Sequence, residues 1–232
     1  KRAKYLFSTE QYLLKYDVDT INKFYEKPDI YKDFIPEDIF QAGVRATAEG
    51  AGGYPINGKM SLVLDFQNVK NMIRKAVDEL LNPNLANEIG KWGYNVVPNK
   101  INIFIITSFG GGTGRGTFIT FSAMVRQILN NVLTKPEDGK VFIFNFLPDC
   151  FETEGRKVGI EVLKYIKNNE YSSFKEIEHV IKRGYKAEDF FCDSFGMDKA
   201  KREIQKSFDG VINISSKSRA GNIDSYEKLN DV

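Results

Sequence analysis

Cysteine and histidine are scarce in this chain of 232 residues, which holds two cysteines, Cys150 and Cys192, and one histidine, His179. Two thiols are too few for a disulfide framework or a cysteine-rich zinc site, so both are expected reduced, as in a cytoplasmic protein. His179 lies in the charged segment 174–183 and is expected at the surface. An excess of one charge is also lacking. The 33 Lys and Arg residues nearly balance 31 Asp and Glu residues, for a formal charge of +2. No global polycation therefore points to nucleic acid. The local basic cluster at 199–206 reads as a solvated helix face, leaving no clear nucleic-acid site. No apolar run approaches the roughly 20 residues of a helical membrane span, and the first residues do not read as a signal peptide. What remains is enough chain for one sizeable core, or for one domain and part of a second.

Glycine, by contrast, is concentrated. The run Ser108-Phe109-Gly110-Gly111-Gly112-Thr113-Gly114-Arg115-Gly116-Thr117 follows the apolar stretch Ile101 to Ile106 and precedes another, Phe118 to Val132. The first stretch is short and rich in isoleucine, as expected for a strand buried on both faces of a parallel sheet. The second is long enough for about four helical turns and has no Pro or Gly inside. A glycine-rich turn between strand and helix exposes backbone N–H groups at a helix N-terminus, where orphan amides and the helix dipole favour an anion. The loop is therefore expected to cradle phosphate. It is not a P-loop, because Thr117 stands where that pattern needs lysine. The dinucleotide fingerprint fails too, since Gly112 and Gly114 are followed by Thr117 where a third glycine belongs.

A second glycine-rich loop lies upstream. Gly50-Ala51-Gly52-Gly53-Tyr54-Pro55-Ile56-Asn57-Gly58 leads into a run in which Leu62, Phe66, Val69, Ile73, Val77 and Leu80 recur three or four residues apart, the period of an amphipathic helix. Gly58 also suits close packing of a helix on the sheet. Segment 82–100 is polar and reads as the connection to the central strand. Val141 to Leu147 is a second buried strand, a helix with Ile160, Leu163 and Ile166 on one face follows, and Gly210 to Ser215 is the last strand. Residues 17–43 read as an irregular connection with short helices, and 171–207 as charged and partly helical.

The run Gly110-Gly111-Gly112-Thr113-Gly114-Arg115-Gly116 resembles the signature of the tubulin/FtsZ superfamily, Gly-Gly-Gly-Thr-Gly-Ser/Thr/Ala-Gly, with Arg115 as its one departure. Gly50, Ala51, Gly52, Pro55 and Gly58 keep the spacing of that family's Gly-Ala-Gly-x-x-Pro-x-x-Gly loop, which senses the γ-phosphate. Gly53 falls inside it. Glu154-Gly155-Arg156-Lys157 resembles the family's Phe-Glu-Gly-Arg-Arg step if two residues are inserted after Pro148. That match implies ribose binding by Glu154, with Glu152 as the alternative, and places Arg156 by the nucleotide. Tyr226 and Asn230 have the i, i+4 spacing of the residues that stack on guanine and bond its edge. Thr9-Glu10 stands where the family has an acidic step near the phosphates, or is a plain strand end. Arg115 either reaches a phosphate oxygen or pairs with an acidic residue away from the ligand.

The resemblance implies an α/β fold, a mostly parallel sheet with helices on both faces and the ligand at the carboxyl ends of its strands. It covers 1–16, 45–81, 101–166 and 208–232. On this reading residues 1–223 are the nucleotide-binding domain and 224–232 begin the central helix. The family's first strand and first phosphate loop would precede Lys1, and a second domain would follow Val232. The subgroup implied is a divergent bacterial tubulin-like protein. The implied function is that of a filament-forming GTPase binding GTP/GDP with Mg²⁺, a homo-oligomer assembled longitudinally through the nucleotide face. Its hydrolysis site is completed by the next subunit, so no catalytic residue and no protein metal ligand is assigned within the chain. Two alternatives are a tubulin-like protein that binds nucleotide without polymerising or hydrolysing it, and a Rossmann-type oxidoreductase.

Overall fold

The structure, a computed structural model, describes residues 51, 53–151, 160–186, 203–204, 206–218 and 221–222. The central sheet has three parallel strands: β1 (Ile101–Thr107), β2 (Gly139–Phe146) and β5 (Gly210–Ile214), in the order β1-β2-β5. Register pairs Ile101 with Gly139 and Thr107 with Asn145, while Asn145 pairs with Asn213 on the other side. Helix α4 (Gly112–Val132) crosses from β1 to β2, and α5 (Ile160–Arg183) lies between β2 and β5 in the chain. Both crossovers step the same way along the sheet, so the right-handed rule puts α4 and α5 on one side. Phe118, Met124 and Leu129 of α4 join Ile105, Val141 and Ile143 of the strands and Ile177 and Val180 of α5 in a single core.

The other face of the sheet departs from expectation. Phe104 and Ile106 of β1 are 56% and 71% exposed, so β1 is not buried on both faces. Phe104 stacks on Phe142 and meets Phe144 edge-on across the ladder, and both of these partners are half-buried. An alternating burial pattern was invisible in the sequence because both faces of the strand are apolar.

Upstream of the sheet, α1 (Pro55–Leu64) and α2 (Phe66–Leu80) are separated by the single residue Asp65. The helix thus begins inside the second glycine loop rather than after it. Pro55 supplies the reason: at the first helical position its missing N–H costs nothing and its fixed φ is already helical. Leu62, Phe66, Val69 and Val77 are buried and Ile73 packs on the core, but Leu80, at the end of α2, is exposed. A further helix, α3 (Pro83–Lys91), occupies part of the polar connection, capped by the Asn82 side chain accepting from the Asn84 N–H at 2.9 Å.

α5 runs on to Arg183, which absorbs the first part of the charged stretch after 170. Tyr185–Lys186 (β3) then pairs antiparallel with Glu203–Ile204 (β4), so the basic cluster there is not a continuous helix face. A small antiparallel pair, β6 (Lys217–Ser218) and β7 (Gly221–Asn222), follows β5. His179 is exposed on α5, as expected. The fold is α/β with a parallel sheet.

One buried ion pair ties α4 to the strands. Arg126 of α4 pairs with Asp209, just before β5, and both side chains are 8% exposed. Arg126 Nη1 also donates to the Gly139 carbonyl at 2.8 Å, and Asp209 Oδ2 accepts from the Val141 N–H at 2.8 Å. Lys206 Nζ lies 2.8 Å from Asp209 Oδ1.

Candidate functional site

The first glycine run forms the corner between β1 and α4. Helix α4 starts at Gly112, so the signature is the helix's first turn as much as a loop. Its N-cap, Gly111, is extended (φ −83°, ψ 161°) and makes no side-chain cap. The leading N–H groups of a 21-residue helix therefore have no capping oxygen of their own. Gly111 is also open: a Cβ there would meet nothing within 4 Å. Amides, dipole and free space coincide at this corner, and an anion fits it.

The neighbouring glycines answer to packing. A Cβ on Gly58 of α1 would lie 2.6 Å from the Gly112 carbonyl oxygen and 2.7 Å from Thr113 Cα. One on Gly112 would lie 2.8 Å from both Ala51 Cβ and the Tyr54 nitrogen. One on Gly116 would run into the Pro55 carbonyl, and one on Gly114 into the Ser108 carbonyl. Gly58 thus packs on the first turn of α4, not on the sheet. α1 and α4 cross backbone to backbone, which brings Ala51, Gly53 and Tyr54 against the glycine corner. Gly53 adopts φ +81°, a left-handed conformation that glycine tolerates. The described residues of the two glycine loops, far apart in sequence, thus meet at one corner.

Three polar side chains that sequence reasoning passed over fix the corner. Asn145, fully buried on β2, accepts the Phe109 N–H on Oδ1 at 2.9 Å and donates from Nδ2 to Asn213 Oδ1 at 3.0 Å. A lone asparagine in an apolar strand was a signal that could have found it. Asn169 of α5 donates from Nδ2 to the Gly53 carbonyl at 2.9 Å and to the Gly110 carbonyl at 3.1 Å. Glu176 of α5 takes both terminal nitrogens of Arg115, at 2.8 and 2.5 Å. Arg115 is therefore committed to a carboxylate on α5, and contact with a phosphate would require it to leave that fork.

Near Asn145, burial pushes the Glu170 carboxyl up; a hydrogen bond from Asn145 works against the rise and the Asp149 charge adds to it. Asp149 accepts from the hydroxyls of Ser215 (2.6 Å) and Ser216 (2.9 Å) where β2 and β5 end. Burial, then the Asp149 charge, push the Cys150 thiol up, so it is not an activated thiolate. It is a free cysteine.

Gly110, Gly111, Gly112, Thr113, Gly114, Arg115 and Gly116 thus sit with Ala51 and Gly53 at one corner. Gly50, Gly52, Glu154, Arg156, Tyr226 and Asn230 lie outside the described residues, as do Thr9 and Glu10. The turn Pro148–Phe151 does start the segment leading to Glu154 and Arg156 at the carboxyl end of β2, the same sheet edge as the glycine corner.

Comparison with known families gives one result: a family model described as tubulin-like matches residues 17–224, most of the chain. The chain belongs to the tubulin-like family. The matched span takes in both glycine loops of this tubulin-like chain and also 17–43 and 171–207, which the motif resemblance had left out. Conversely, residues 1–16 and the pair Tyr226 and Asn230 fall outside it. No curated protein and no solved structure matches. Among the described residues no helix is long and apolar enough to cross a membrane.

Proposed function

We propose that this tubulin-like chain is the guanine-nucleotide-binding domain of a filament-forming GTPase. The observation that carries the reading is the convergence of both glycine loops on the open, uncapped N-terminus of α4. Gly111 to Gly114 supply N–H donors for phosphate, and Ala51 and Gly53 border the same corner. The chemistry of the corner is anion binding by backbone, which costs no reorganisation of side chains. Among the described residues no group of three or more His, Cys, Asp or Glu side chains could hold a metal ion. Mg²⁺ in this reading is carried on the phosphate oxygens. Glu154 is proposed to accept from the ribose hydroxyls, Arg156 to lie by the nucleotide, and Tyr226 and Asn230 to read guanine. The attacking water is proposed to be positioned by an acidic residue of the next subunit, so filament contact and hydrolysis occur at one longitudinal interface.

Competition binding tests the ligand. GTP is expected to be preferred over ATP, and Asn230→Ala to remove about 1–3 kcal/mol of that preference. Equal affinities for the two nucleotides would discard the guanine assignment. Nucleotide-dependent pelleting tests assembly, and turnover per subunit is expected to rise with protein concentration. Binding without pelleting or turnover would favour the non-polymerising alternative.

Arg115→Ser separates its two roles. With the guanidinium forked onto Glu176, the substitution is expected to cost about 1 kcal/mol of stability, read from the denaturant midpoint. Nucleotide affinity is expected to keep its salt dependence. A flatter salt dependence in the variant would show that the arginine reaches phosphate in the complex.

A further inference from the structure

We infer that Asn169 is a positioning residue that aims the Gly111 amide at the phosphate and ties the second glycine loop to the first, an inference that rests on the nucleotide reading above. Its side-chain amide has two hydrogens to give, and Nδ2 donates to the Gly110 carbonyl at 3.1 Å and to the Gly53 carbonyl at 2.9 Å. In a planar trans peptide the N–H points opposite to its carbonyl, and no cis peptide occurs among the described residues. Drawing the Gly110 carbonyl toward α5 therefore turns the Gly111 N–H away from α5. A Cβ on Gly111 would meet nothing within 4 Å, so there is room for a ligand at that residue.

The peptides just before this one are held by other groups. The Phe109 N–H is fixed on Asn145 Oδ1 at 2.9 Å, and the Gly110 N–H on Ser108 Oγ at 3.3 Å. The peptide between Gly110 and Gly111 has no side chain at either end to restrain it, and glycine backbones rotate most freely of all. Asn169 supplies the missing restraint. The same amide group holds the Gly53 carbonyl, whose peptide N–H, that of Tyr54, closes a turn onto the Ala51 carbonyl at 3.0 Å, so one residue of α5 bridges the two loops. An anion then meets the Gly111 N–H already aimed at it, instead of ordering a free glycine pair on arrival.

Asn169→Leu keeps the shape of the side chain and removes the amide, and Asn169→Ala serves as a second variant with high helix propensity. With ligand-free protein, amide hydrogen exchange at 53–54 and 110–112 is expected to rise in both variants while exchange across 118–129 of α4 stays as it was. GTP and GDP affinities are expected to fall roughly ten- to a hundredfold, as for other groups that orient a contacting donor, with the thermal midpoint little changed. Unaltered affinity in a folded variant would overturn the inference and leave the nucleotide reading intact. Unaltered exchange at both loops would overturn it as well. Failure of the unmodified protein to bind either nucleotide would instead remove the nucleotide reading and with it the phosphate role of Asn169, while the exchange experiment still decides whether the two loops are held from α5.

Discussion

Gly116→Ala is expected to destabilise the protein by roughly 3 kcal/mol or more, the upper range for overpacking, because the added methyl meets backbone. The Cβ would run into the Pro55 carbonyl and lie 2.7 Å from the Lys59 nitrogen. Neither atom can rotate aside as the end of a side chain could, so α1 has to lift off α4. Gly58→Ala, whose Cβ meets the Gly112 carbonyl at 2.6 Å, is expected to behave alike. Gly111→Ala is the control: the space is open and φ is −83°, so stability should change by a few tenths of a kcal/mol. Urea midpoints of the three variants check the ordering. If Gly116→Ala melts with the unmodified protein, the backbone-to-backbone crossing is wrong.

Breaking the Arg126–Asp209 pair is the second large effect. Asp209→Ala would leave a guanidinium buried without its counter-charge, and such losses typically cost about 3–5 kcal/mol. Replacing both partners with apolar residues of similar size should cost much less, because the uncompensated charge is then absent. The pair also sets an acid limit. Burial alone would raise the Asp209 carboxyl, but the Lys206 hydrogen bond, the Val141 N–H and Arg126 outweigh it and lower it from 3.8 to about 2. With the folded value below the unfolded one, its stabilisation is complete above pH 4 and is lost as pH falls toward 2. The amount is about 2 kcal/mol. Asp209→Ala should therefore flatten the stability profile between pH 4 and 2, measured by chemical denaturation at each pH.

The sequence displayed what local chemistry determines. Strand β1, helix α4 and the glycine corner between them were legible because the apolar runs, their periods and the glycines lie within a few turns of one another. The approach of the two glycine loops was legible only through family resemblance, since no periodicity states which helix crosses which. Asn169 left no trace at all, sitting between polar Asn168 and Glu170 on a charged helix, with partners 59 and 116 residues away. The same distance in sequence hid Glu176 as the acidic partner of Arg115. The exposure of Phe104 and Ile106 on β1 was illegible for the opposite reason: both look like core residues wherever they point.

The crossing of α1 on α4 bears on the thermodynamics of ligand capture. No side chains separate the helices at Gly58, Gly112 and Gly116, so there are no rotamers to reshuffle and no soft layer to compress between them. The corner holding Ala51, Gly53 and Tyr54 is continuous with α1 through Pro55, and the Tyr54 N–H closes it onto the Ala51 carbonyl at 3.0 Å. On the proposed nucleotide reading, a phosphate arriving there would meet a surface whose conformational entropy was already lost during folding. Little ordering of the protein should then oppose binding, and the strength of the complex should reflect the number and aim of the donors.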